Sequence, residues 1–126
     1  MKTTVFTRVL GFLVACIVTN ISFAGGRYAD PPNGLVEVSK LSQQALDAAK
    51  QGNKDAALSA ANEARKVAIS SYKEKSTMPM QNGSSRLKAA VISLEGGNTA
   101  EAVAPLEETV KIMNEEIDFY KKEGKL

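Results

Sequence analysis

Val103, Leu106, Val110, Met113, Ile117 and Tyr120 stand 3, 4, 3, 4 and 3 residues apart. Alternating steps of three and four bring one apolar side chain per turn onto a single face of an α-helix, the geometry of a heptad seam. A seam of this kind has to be buried against other helices, which commits the chain to an all-α fold before any other segment is read. The helix is expected over about Thr99 to Lys122. Pro105 interrupts it: proline lacks the amide hydrogen and crowds the carbonyl of Glu101, so the spacing predicts either a kink there or a start delayed to about Ala104.

Three more helices follow from the same periodicity. Leu35, Val38, Leu41 or Ser42, Ala45, Leu46 and Ala49 line one face of a first helix, from about Leu35 to Gln51. Ala57, Leu58, Ala61, Ala64, Ala68, Ile69 and Tyr72 line a second, from about Lys54 to Lys75. Its alanines favour helix and allow close approach of a neighbour. Ser76 to Gly83 (STMPMQNG) reads as a breaker-rich connection. The third helix is expected to begin at Ser84 or Ser85, either of which can cap it, and to reach about Glu95 with Leu87, Ala90, Val91 and Leu94 inward.

Gly52-Asn53 and Gly97-Asn98 punctuate both pairs. Glycine accepts the left-handed conformation that ends a helix, and asparagine caps the next one. Asn98 with Glu101 also has capping-box spacing. Ser39-Lys40-Leu41 matches Ser85-Arg86-Leu87, and the Gly-Asn pairs come at nearly the same offset, so one helical hairpin is used twice. Short turns between such helices give an antiparallel four-helix bundle over residues 34–126.

The first 24 residues stand apart. Lys2 and Arg8 flank a basic start, Val9 to Val18 is apolar, and Ser22-Phe23-Ala24 places small residues before a cut, the layout of a secretory signal peptide. The apolar run is too short for a membrane span, which needs about 20 residues. Two processing routes stay open. Cleavage after Ala24 releases a periplasmic chain, whereas Leu13-Val14-Ala15-Cys16 resembles a lipobox that would anchor the protein through Cys16. Residues 25–33 (GGRYADPPN) read as a flexible leader. Losing Lys2 and Arg8 removes the whole net charge of +2, so the exported domain has no general attraction for nucleic acid.

Absences narrow the chemistry. The chain has no histidine and its one cysteine lies in the signal segment, so an imidazole base and a thiolate nucleophile are both missing from the domain. No catalytic or cofactor-binding residue is assigned, and the chain reads as a non-enzyme. The neighbouring acids Glu107-Glu108 and Glu115-Glu116 point in different directions on a helix and read as a solvated face. Met78-Pro79-Met80 is the one local pattern with metal chemistry. Thioethers suit a copper(I) ion, and Met78 and Met80 are the candidate ligands. The alternative is that both methionines cover the end of the bundle.

The order of helix, Gly-Asn turn, Ala-rich helix and repeated hairpin, with AALSAANEARKVA and AVAPLEETVKIM after the two turns, resembles the periplasmic small metal-binding protein family. That resemblance implies an exported four-helix bundle that binds or buffers metal ions such as copper. The family's abundant histidines have no counterpart here, so no ligand position carries over. GNKDAA and GNTAEA are also similar to the turn and second helix of tetratricopeptide repeats. This second resemblance implies a protein-interaction module without a metal.

Overall fold

Gly52 and Gly97 fix where the chain reverses. Both lie in the left-handed region, at φ +74° and +80°, which strains any residue with a Cβ. The Gly52 N–H donates to the Ala49 carbonyl at 3.0 Å and the Asn53 N–H to the Ala48 carbonyl at 2.9 Å. Gly97 and Asn98 repeat the pattern on Leu94 and Ser93. These paired bonds occupy the last free carbonyls of a helix and turn the chain within two or three residues. In a computed structural model, which describes residues 27–126, they help divide the chain into α1 (Leu35–Lys50), α2 (Lys54–Glu74), α3 (Met78–Glu95) and α4 (Thr99–Lys122). The expected signal peptide, its cleavage site and Cys16 lie outside the described residues.

Helix α1 packs on α2 and α4, and α3 packs on the same two, so the four helices close into an antiparallel bundle. An open stack of hairpins would leave its first and last helices apart; here α1 lies against α4. No strand occurs among the described residues. None of their helices is long and apolar enough to cross a membrane.

The core takes its bulk from three helices. Leu35, Val38 and Leu46 come from α1, Met80, Leu87, Val91 and Leu94 from α3, and Leu106, Met113, Ile117 and Tyr120 from α4. Helix α2 buries Ala57, Ala61, Ala64, Ala68 and Ser71 instead, while Leu58 and Tyr72 flank the core half-buried. In α1, Ser42 is the fully buried member of the Leu41/Ser42 pair.

Helix α3 begins six residues ahead of the expected Ser84, at Met78. The expected loop 76–83 is therefore mostly helix. Pro79 falls in the first turn, where its missing N–H is needed by no hydrogen bond and its fixed φ suits a helix. Gly83 is buried inside α3 rather than breaking it, with α4 so near that a Cβ there would come within 2.7 Å of the Met113 Cε. Pro105 does not delay α4, which starts at Thr99 with the proline inside. Asn53 caps α2 as expected, its side-chain oxygen accepting the Ala56 N–H at 3.3 Å. Asn98 makes no side-chain cap bond, so the expected capping box on α4 is not formed.

The seam of α4 is also rotated from the apolar pattern. Its buried line runs Ala102, Leu106, Thr109, Met113, Glu116 and Tyr120, with Ile117 beside it. Those residues step 4-3-4-3-4. Val103 and Val110 sit half-buried on the flank. The structure thus exchanges two valines for an alanine and a threonine at the centre and draws a carboxylate, Glu116, into line with the core.

Candidate functional site

Met78 and Met80 are two residues apart on α3, so their side chains leave the axis about 200° apart. Met78 is 64% exposed, whereas Met80 is fully buried in the cluster that holds Leu87, Met113 and Tyr120. The structure does not bring the two thioethers together. Among the described residues no group of three or more Cys, His, Asp or Glu side chains could hold a metal ion.

A different constellation forms at the end of the bundle where α2 and α4 finish. Residues 27–33 of the leader cross this end before Gly34 turns the chain into α1. Glu116 is buried, with its side chain 7% exposed, and its Oε1 accepts from Arg27 Nε at 3.1 Å and Nη2 at 2.7 Å. The same guanidinium lies over the Phe119 ring, 4.0 Å from its centroid. Phe119 meets Tyr120 edge to face at 5.2 Å. The buried Tyr120 hydroxyl donates to the Tyr28 carbonyl at 2.9 Å. Three features of α4 thus grip two consecutive leader residues: a carboxylate, a ring face and a phenol.

The electrostatics follow from the geometry. A carboxylate removed from water is costly unless paired and hydrogen-bonded. Two N–H donors from one planar guanidinium meet that need better than an ammonium would. Burial, and next the Glu116 carboxylate, push the Tyr120 hydroxyl above its ordinary value, because both disfavour a phenolate. It therefore remains a donor across the physiological range.

Further contacts of the leader are exposed. Asp30 pairs with Lys125 at 3.3 Å, Lys75 Nζ donates to the Asp30 carbonyl at 3.4 Å, and Asn33 donates to Glu74 at 2.8 Å. Beside this strip lies an open cleft of about 600 Å³ whose lining includes Pro31, Pro32, Val36 and Leu126 together with Glu37 and Lys40. Val36 is 52% and Leu126 48% exposed.

The paired acids divide by helix face. Glu107 meets Lys50 at 3.7 Å and Glu108 meets Arg86 at 2.6 Å, both at the surface. Glu115 is exposed and Glu116 buried. The solvated-face reading therefore fails for Glu116 alone. Its signal was present in the sequence: it lies three residues after Met113 and four before Tyr120, on the seam, with an unassigned arginine in the leader. Compared with known protein families, with characterised proteins and with solved structures, the chain shows no significant match in any of the three.

Proposed function

We propose that this chain is an exported, non-catalytic binding protein whose bundle presents one end to a peptide segment of another protein. The observation that carries the reading is the cleft beside the leader, where Val36 and Leu126 stay half in water and Glu37 and Lys40 share the lining. A mostly apolar lining with a few charged groups is the composition of a small binding site. Export is supported by the signal-peptide layout of residues 1–24. A copper-buffering role finds less support, because one exposed thioether, Met78, is a poor site for a soft ion that binds through several.

The test is site-specific photo-crosslinking in a periplasmic extract. A photoreactive residue replaces Val36 in one sample and Ile92, somewhat more exposed and on the far stretch of α3, in another. The reading expects a discrete adduct from position 36 and none from position 92. Adducts at neither position, or the same adducts at both, would sink it.

A further inference from the structure

The notch on α4 is more specific than the cleft beside it, and its role rests on the binding function proposed for this end of the bundle. Glu116 occupies a seam position where a bundle ordinarily carries an apolar side chain. Among the described residues its hydrogen-bonding and ionic partner is Arg27, 89 positions away in the leader. The helices therefore carry a carboxylate on the core-facing line whose completing guanidinium comes from outside them. Phe119 offers that guanidinium a ring face. Tyr120 reads the next residue through its backbone carbonyl, a group every amino acid has. The set thus selects an arginine and tolerates any residue after it.

Beyond these two residues the leader is anchored at its far end by the buried Pro32, whose carbonyl accepts the Leu35 N–H at 3.3 Å. Its other side-chain contacts, through Asp30 and Asn33, are exposed, and such pairs contribute little in water. Arg27 itself is 45% exposed, so the notch can be approached from solvent. We propose that the Glu116–Phe119–Tyr120 notch is a recognition site for an arginine-bearing peptide segment of a partner protein, and that Arg27 and Tyr28 occupy it in cis as a built-in competitor. The leader then sets the threshold for binding: a partner must offer more contact than the chain's own dipeptide. The neighbouring cleft supplies room for that extra contact.

The probe is a fluorescent peptide with the sequence of residues 25–32, Gly-Gly-Arg-Tyr-Ala-Asp-Pro-Pro, titrated by anisotropy into the full mature chain. Arg27→Ala frees Glu116 and the Phe119 face and leaves the leader held at the notch only through the Tyr28 carbonyl. Since a site occupied in cis binds in proportion to its open fraction, Arg27→Ala is expected to bind the probe about tenfold more tightly than the wild type. Adding Glu116→Gln is expected to remove that gain, and a probe with lysine for arginine is expected to bind worse, because an ammonium lacks the fork and stacks poorly. Equal affinity of wild type and Arg27→Ala, or indifference to Glu116→Gln, overturns the proposal, as does absence of probe binding to every variant. Circular dichroism checks each variant. Should Arg27→Ala unfold, Arg27→Lys replaces it, with tighter probe binding than wild type again expected and unchanged binding again fatal. Crosslinking at Val36 with a probe that ignores Glu116 would leave the binding function standing and remove the notch alone.

Discussion

Thr109→Asp and Val110→Asp, made separately, decide which line of α4 faces the core. Thr109 is fully buried, and its hydroxyl already donates to the Pro105 carbonyl at 2.9 Å. A carboxylate in that buried place must stay charged without water or take up a proton. The effective penalty for an unpaired buried ion is several kcal/mol. Val110 is half-buried on the flank, where an aspartate can turn to solvent. Its loss is roughly half of the 1.5–3 kcal/mol that a fully buried aliphatic side chain contributes, or about 1 kcal/mol. The two variants should thus differ by at least about 2 kcal/mol. In a domain of this size 1 kcal/mol moves Tm by about 4–8 °C, so thermal unfolding followed by circular dichroism should place Thr109→Asp roughly 10 °C or more below Val110→Asp. Equal losses, or a larger loss for Val110→Asp, would show that the valine line is the core-facing seam and that the rotated seam of α4 is wrong.

Tyr120→Phe removes the bond to the leader and should cost about 1 kcal/mol at neutral pH. Because the folded state raises the Tyr120 pKa above 10.0, unfolded chains bind fewer protons between the two values; this contribution is intact below pH 10 and is lost as pH rises through the folded value. Urea titrations across that range should therefore show a shallower alkaline loss for Tyr120→Phe, and parallel curves would contradict the assignment. Asn53→Ala should cost about 1 kcal/mol by urea denaturation and Asn98→Ala a few tenths, since only the first side chain caps a helix; equal costs would count against the cap geometry. Cu(I) should raise the Tm of the wild type no more than that of the Met78→Leu/Met80→Leu double variant, given that the thioethers diverge; a rise confined to the wild type would restore a methionine site.

Four helices and both Gly-Asn turns were legible because period and punctuation are local properties. The stripes of α1 and α3 were also readable, since Leu35, Val38, Leu46, Leu87 and Leu94 are large enough to declare their face. Two things were not. Pro79 and Gly83 look like breakers in a sequence, and only the position of one in a first turn and of the other opposite Met113 makes them helical. In α4 the apolar spacing named Leu106, Met113, Ile117 and Tyr120 correctly but put Val103 and Val110 where the core holds Ala102 and Thr109, because Ala102, Thr109 and Glu116 carry no hydrophobic signal. What buries them is the neighbouring helices. The candidate notch went unseen for the same reason: its two halves are 89 residues apart, and a Glu beside a Glu on a helix has no local mark of burial. The candidate methionines show the converse, a local pattern that the helix pulls apart.

The methyl face of α2 limits how this protein can change over time. A helix that buries Ala57, Ala61, Ala64 and Ala68 without any solvent exposure sits close to its neighbours, and each added carbon there meets a filled space that costs about 1–3 kcal/mol to widen. The leucines and methionines of the other helices can exchange among themselves at little loss when volume is kept. Sequence drift should therefore run more freely among the large core residues of α1, α3 and α4 and stall at the four alanines of α2 and at buried small residues such as Gly83 and Ala102, so that distant descendants of this chain would be recognisable by their smallest residues rather than their largest.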